Sequence, residues 1–269
     1  MKHAWLIIAH NEFGILQRLV SLLDDARCDF FIHFDRKVSQ IPEIQAESGR
    51  LFVLEHRVDV RWGTFSQIET ELALLAAAAG QGNYDYCHII SGTTLPLRSF
   101  DELDAYFVQA GGKAVMTGLC QDEPYQEMLK IHRYNLFMKD YASPSGLRRK
   151  GSQFLWKASV AAQRVLGIRT NREGAFYKAS NWLSLPEEAV RYLLARRPLI
   201  EKKYRYSFCG DEFFVPSELM ESPDWRQRIV NDEKYLKHDI GRANAGVFHL
   251  SDYPDLQRTA YLFARKFTA

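Results

Sequence analysis

The sequence predicts an α/β fold, a Rossmann-like, mostly parallel sheet flanked by helices. Three observations carry this. Strand and helix signals alternate through the first 117 residues, the strands read as continuous apolar runs, and polar clusters follow three of those runs. Alternation of this kind builds parallel sheets through right-handed crossovers, and uninterrupted apolar strands are those covered on both faces.

The elements follow in order. Ala4–Ala9 is the first strand; its six apolar residues before His10-Asn11-Glu12 are too few for a signal-peptide core. Residues 12–24 place Phe13, Leu16, Leu19, Val20 and Leu23 at helical spacing. Asp29–Phe34 is a second strand, running into Asp35, Arg36 and Lys37, and Leu51–Leu54 a third. Residues 64–79 form a helix through Ile68, Leu72 and Leu75, with Thr64 as its N-cap and Gly80 and Gly82 as its stop. Tyr86–Ile90 is a fourth strand leading into the turn-rich SGTTLP, and helix 100–108 with strand Ala114–Thr117 completes the pattern. Ligands of such sheets bind beyond the carboxyl ends of the strands, where His10-Asn11-Glu12, His33 to Lys37 and Ser91 to Thr94 are expected.

From about residue 118 the alternation fails. Residues 139–178 are basic, with Lys139, Arg148, Arg149, Lys150, Lys157, Arg164, Arg169, Arg172 and Lys178 against Asp140 and Glu173. Phe154, Leu155, Ala158, Ala161, Ala162, Val165 and Leu166 mark an amphipathic helix within it. Such a basic helix is either a solvated face or, over 148–169, a membrane-surface contact. A strand Asn181–Leu185, a helix 187–196 introduced by Pro186, a helix from Gly210 and a last helix near 255–263 follow. Without a repeat or a linker-like run, residues 1–269 read as a single domain.

Composition narrows the function classes. At 46% hydrophobic residues the chain can offset its conformational entropy, which excludes disorder as the main state. Thirty-five basic against 33 acidic residues leave no global field for nucleic acid, and no apolar run reaches the ~20 residues of a membrane span. Cys28, Cys87, Cys120 and Cys209 stand singly, as reduced and mostly buried thiols do.

Several chemistries lack their motifs. No GxGxxG follows the first strand, and GxxxxGK[ST], GxSxG, HxxH and HExxH are absent. The paired DxD carboxylates that hold a divalent metal against a sugar nucleotide are also missing. Asp35 stands alone in HFDRK, Asp24-Asp25 lies on a helix, and Asp211-Glu212 are adjacent. A metal-free site is expected, in which protein cations neutralise a departing diphosphate. The tail offers Arg242, Arg265 and Lys266, although on spacing alone Arg265 and Lys266 read as well as solvated helix-end charges. Asp211-Glu212, flanked by aromatics in SFCGDEFFVP, reads as a general base of raised pKa or as an acidic pair at a helix N-terminus. Trp62, before Gly63 and the second helix, would stack on a base or sugar if exposed, or else join the core.

The blocks LIIAHNEFGILQRLVSLL, FIHFDRK, VRWGTFSQIETELALLAAA, YDYCHIISGTTLPLRS, SNWLSL, CGDEFF and YLFARKF, spread over residues 4 to 267, resemble the core-2/I-branching glycosyltransferases. That group includes β-1,6-N-acetylglucosaminyltransferases and peptide O-xylosyltransferases. The resemblance implies a GT-A fold, with residues 1–117 as nucleotide-binding half and 118–269 as acceptor and catalytic half. It implies an inverting, metal-independent enzyme with no cofactor beyond its UDP-sugar donor, in which Glu212 is the catalytic base. Lys266 and Arg242 correspond to the family's two diphosphate-binding cations, with Lys237 competing for the second place and Arg265 beside the first. His10, Asp35 and Trp62 fall in blocks that line the nucleotide pocket, and Ser91, Thr94, Ser180, Trp182 and Asp211 in those that meet the sugars.

Two departures stand out. Thr94 occupies a position that is usually acidic in the SGxDLP block, which bears on GlcNAc against xylose as the donor sugar. The Golgi members' anchor and stem have no counterpart in this sequence. The expectation is a bacterial, cytoplasmic relative serving surface-polysaccharide assembly, with a glycan or lipid-linked glycan acceptor, and with residues 148–169 available to the inner membrane face. A catalytically silent glycan- or nucleotide-binding module is the reading from another class.

Overall fold

The computed structural model describes residues 1–121, 130–171, 174–238 and 246–268. In chain order its strands are β1 (His3–Ala9), β2 (Cys28–Phe34), β3 (Arg50–Val53), β4 (Tyr86–Ser91), β5 (Leu95–Pro96), β6 (Ala114–Met116), β7 (Cys120–Gln121), β8 (Tyr177–Lys178), β9 (Leu183–Pro186), β10 (Ile229–Asn231), β11 (Leu236–Lys237), β12 (Phe248–His249), β13 (Phe263–Ala264) and β14 (Phe267–Thr268). The longer helices are α1 (Phe13–Leu23), α2 (Ser66–Gln81), α3 (Phe100–Ala110), α4 (Gly146–Val165), α5 (Glu187–Ala195), α6 (Arg197–Tyr204) and α7 (Phe214–Glu221).

Seven strands form one sheet in the order β10-β6-β9-β4-β1-β2-β3. The apolar runs explain its centre: every residue of β2 and β4 is buried, and all of β1 but Ile8. β1 pairs in parallel with β2 and β4, β2 with β3, and β6 with β10. Only β9 is antiparallel, to β4 and β6. The mostly parallel α/β sheet expected from the alternation is therefore present. α2 packs on β1, β2 and β4, and α5 on β4 and β9. α3 is closed by a Ser99–Glu102 capping box and by Gly111 at φ +61°, and lays Phe107 on Tyr86 and His88. One core cluster runs from Ala4 to Phe267.

Parallel order brings three strand ends together. Along β4-β1-β2 the chain leaves the sheet at Ser91, His10 and Asp35, and the Asp35 and Gly92 amides bond back to the Ala9 and Ile8 carbonyls at 2.9 Å. The tail returns to this edge. β13 pairs antiparallel with β5 and parallel with β11, and the Phe267 amide donates to the Thr93 carbonyl at 2.9 Å.

Three local expectations are corrected. The last helix, expected near 255–263, is a short helix over Tyr253–Gln257, and Phe263–Thr268 forms two short strands. Asp211 and Glu212 lie in a 3₁₀ turn, Gly210–Glu212, ahead of α7 rather than opening an α-helix. Thr64 does not cap α2. Its hydroxyl bonds to Ser66 Oγ and the Arg61 carbonyl, and Phe65 holds the N-cap position with no side-chain bond. None of the four cysteines forms a disulfide, and Cys28, Cys87 and Cys209 are buried.

Candidate active site

The carboxylate pair is set by its turn. Cys209, at φ +51°, directs the chain into Gly210–Glu212. A side chain at Gly210 would collide with Ser207, so the turn closes directly on that residue. The Cys209 amide donates to the Gly63 carbonyl at 3.1 Å, and the Ala179 amide to the Glu212 carbonyl at 2.9 Å. The turn is thus clamped between the Trp62-Gly63 loop and the strand-to-strand segment 178–182.

The two acids have different surroundings. Asp211 is buried; its Oδ2 accepts from Gln67 Nε2 at 2.7 Å and Asn181 Nδ2 at 3.2 Å, while Oδ1 has no partner. Burial, reinforced by the neighbouring Glu212 charge, pushes Asp211 up to about 7. Behind it, Glu71 of α2 is completely buried and raised well above the usual carboxylate range, first by burial and then by the Asp211 charge. The Asn181 amide opposes that shift from nearby, although neither Glu71 oxygen makes a hydrogen bond of ordinary geometry. Glu212 is partly exposed. Its Oε2 faces the ammonium groups of Lys178 at 3.4 Å and Lys130 at 3.7 Å. Glu212 therefore has the access and the cationic frame that a reacting carboxylate needs, and Asp211 lies buried behind it.

Beside the turn stands an aromatic wall. Trp62, 51% exposed, stacks on Tyr141 with ring centroids 6.0 Å apart and meets Phe208 edge-on at 5.3 Å. Trp156 of α4 closes on Phe208 and Tyr141 at 5.7 and 5.4 Å. An exposed indole over such a wall offers a flat apolar face to a sugar ring.

The second part of the site is a cation cluster over the strand ends. Trp182 supports it, with the Arg265 guanidinium 4.5 Å above the indole centroid and Arg265 Nε donating to Ser91 Oγ at 3.3 Å. Burial pushes Arg265 down to about 10 and lowers Lys266, which also feels the Arg265 charge. His10 is lowered by burial and by Lys266, Lys37 and Arg265, against the pull of Asp35. His238 is pushed to about 4 by burial and by the same Arg265 and Lys266 charges. Partly desolvated cations at a strand-end crevice form a strong anion site, because less screening water lies between them and an incoming charge. Next to His10 a pocket of about 410 Å³ is lined by Phe13, Lys37, Val38, Ser39 and Gln40. The Lys37 ammonium of that lining is bonded to Asp35 at 2.6 Å.

The structure thus brings together His10, Asp35, Ser91, Thr94, Trp182, Arg265 and Lys266 on one side and Asp211 and Glu212 on the other, joined through segment 178–182. Thr94 is buried, its hydroxyl 3.0 Å from Ser91 Oγ. Ser180 receives the Trp182 amide on its hydroxyl at 3.2 Å. Trp62 stands with the carboxylate turn. Arg242 lies outside the described residues. Its competitor Lys237 has its ammonium over the Tyr261 ring at 5.0 Å, and its carbonyl accepts from the Arg265 amide at 3.2 Å. The alternative for Arg265 and Lys266, solvated charges at a helix end, is overturned, since they follow a strand and both are partly buried. Sequence reasoning missed Gln67, Glu71, Lys130, Lys178, Asn181 and His238. Glu71 alone left a signal, as a carboxylate on the apolar stripe of Ile68, Leu72 and Leu75. Among the described residues no three His, Cys, Asp or Glu side chains converge as metal ligands.

No curated protein matches the chain. Among solved structures, the apo form of mouse xyloside xylosyltransferase 1 aligns over 98% of this chain and 96% of that one, at 11% identity and a TM-score of 0.40. The family model described as core-2/I-branching enzyme matches residues 3–242, which hold the strand ends at His10, Asp35 and Ser91 and the carboxylate turn, and stops short of Arg265 and Lys266. That family implies a nucleotide-sugar donor and a glycan acceptor. The chain belongs to the core-2/I-branching enzyme family and is a glycosyltransferase.

Proposed function

We propose that the protein is an inverting, metal-independent glycosyltransferase of GT-A type that moves GlcNAc from UDP-GlcNAc onto a glycan hydroxyl through a β-1,6 linkage. The observation that carries this reading is that one segment, 178–182, ties an accessible carboxylate to a partly buried cation pair: the Glu212 carbonyl accepts the Ala179 amide, and Trp182 lies under Arg265, next to Lys266. His10, Asp35 and the pocket beside them would receive the uridine. Trp62 and its aromatic wall would hold the acceptor sugar.

The acceptor hydroxyl gives its proton to the Glu212 carboxylate as its oxygen bonds to the anomeric carbon from the face opposite the phosphate. The bond from that carbon to the phosphate oxygen breaks, UDP carries away the electron pair, and the α-linked sugar becomes β-linked. The negative charge developing on the diphosphate falls on Arg265 and Lys266, with Arg242 or Lys237 as the further cation. Protein cations acting here support the metal-free reading, with no cofactor beyond the donor. The biological setting we infer is polysaccharide assembly in a bacterial cytoplasm, with a glycan or lipid-linked glycan as acceptor, carried out by a single domain.

A second donor, UDP-xylose, is favoured by Thr94. It offers a buried hydroxyl bonded to Ser91 where the family block carries a carboxylate, and so less to hold the hydroxymethyl group that GlcNAc carries, besides its acetamido group, and xylose lacks. Transfer assays with both donors and Glu212→Gln test the proposal. The substitution should lower turnover by about two to four orders of magnitude while UDP binding persists. Full activity in the variant would remove Glu212 from the chemistry, and a wild type that binds UDP without transferring or hydrolysing either donor would make the protein a binding module.

A further inference from the structure

Helix α4 is packed the wrong way round for a core helix. The face turned to the protein is held mainly through polar groups, with Val160 and the Trp156 ring as its apolar contacts. Gln163 exchanges two hydrogen bonds with the backbone of Tyr134 at 2.9 Å, Gln153 bonds the Tyr141 carbonyl at 3.2 Å, and Ser152 bonds the Phe137 carbonyl. Trp156 adds its indole bond to Asn135 at 2.8 Å. Apart from Val160 and Trp156, which face the protein, the apolar residues are on the other side, in solvent: Leu147, Phe154, Leu155 and Val165, with Phe154 71% and Val165 87% exposed. Helical spacing sets them on one stripe, broadened by Ala158, Ala161 and Ala162.

The charges choose the occupant. Lys150, Lys157 and Arg164 recur every seven residues and so run along one flank of the stripe, Arg148 stands on the other, and all are exposed. No Asp or Glu occurs between Asp140 and Glu173. No described helix is long and apolar enough to cross a membrane. An outward apolar stripe flanked by basic residues, on a helix fixed through its polar face, has the form of an element that lies in a lipid interface, with its side chains among the acyl chains and its cations at acidic headgroups. We propose that α4 docks this protein on an anionic lipid surface. Its inward face already ends at the site, since Trp156 belongs to the aromatic wall beside Glu212, so docking would hold the mouth of the acceptor side near the bilayer. The docking does not depend on the proposed chemistry and is read without donor.

Co-sedimentation of the whole chain with phosphatidylcholine vesicles, with and without added phosphatidylglycerol, tests this. Binding is expected only with the anionic lipid, and should weaken as salt rises. Substituting Arg148, Lys150 and Lys157 together by Gln should cost about a hundredfold in affinity, at about fivefold per charge near such a surface. Phe154→Asp with Val165→Asp should abolish binding, with the wild-type melting curve retained; Leu147→Asp is the independent variant if that pair unfolds. Absence of vesicle binding by the folded wild type, equal binding to pure phosphatidylcholine, or binding indifferent to these substitutions would overturn the proposal. So would a dimer in solution that Phe154→Asp disperses, because a second copy would then be what covers the stripe.

Discussion

Asp211 and Glu212 are chain neighbours that the fold assigns to opposite sides of the solvent boundary. Burial lifts Asp211 to about 7 from an ordinary 3.8, so the folded state holds its proton more tightly than the unfolded chain does. A raised acid favours folding fully below about pH 4, and that contribution is lost as pH rises through about 7. Between about pH 5 and 8, wild-type stability measured by chemical denaturation should therefore fall by about 1–3 kcal/mol more than that of Asp211→Asn. Equal slopes would mean that Asp211 titrates as an ordinary carboxylate. At the cation end, Lys266→Ala should weaken UDP by about 10–100-fold, the range of a charge-assisted contact, and uridine hardly at all. Equal losses for the two ligands would remove Lys266 from the diphosphate. Of these roles the sequence discloses residue types but not partners: Gln67 meets Asp211 across 144 positions, and no local pattern encodes such a meeting.

Among the elements, the Trp62-Gly63 loop is the one on which the carboxylate turn rests. Gly63 sits at φ +77°, and a Cβ there would lie 2.5 Å from the Phe208 ring. Gly63→Ala should cost about 2 kcal/mol of stability and should lower turnover, since the Gly63 carbonyl holds the Cys209 amide. Gly80, inside α2 with open space around it, is the control: Gly80→Ala should gain about 0.5–1 kcal/mol in the same denaturation measurement. The long elements were legible because burial imposes a period: β1, β2, β4, α1 and α2 fall within a few residues of their expected bounds. The tail was not. Its strands span two residues each, too short to carry a period, and their form is decided by pairing with β5, β11 and β12. α4 shows the same limit in another way, since its amphipathic pattern was plain and which face met the protein was not.

At the scale of the whole molecule, the site is assembled from residues between His10 and Lys266, so it exists only when the parallel sheet and the returning tail are both in place. Thr268 bonds Glu12 at 3.0 Å and closes the chain on its own beginning. The strand-end layout and the absent DxD pointed to a nucleotide site built on protein cations, and the fold supplies Arg265 and Lys266 at that place. The central claim is that this crevice binds a uridine diphosphate sugar through those cations. The measurement that tests it most directly is a thermal-shift series of UDP, UDP-GlcNAc, UDP-GalNAc, UDP-glucose, UDP-xylose and GDP-mannose, each with EDTA and with Mn²⁺. Saturation at about a hundred times the dissociation constant should add roughly 2.7 kcal/mol of stability. The account predicts that shift for UDP and for UDP-GlcNAc, the leading donor, undiminished by EDTA; a shift that appears only with Mn²⁺, or none with any nucleotide, would contradict it.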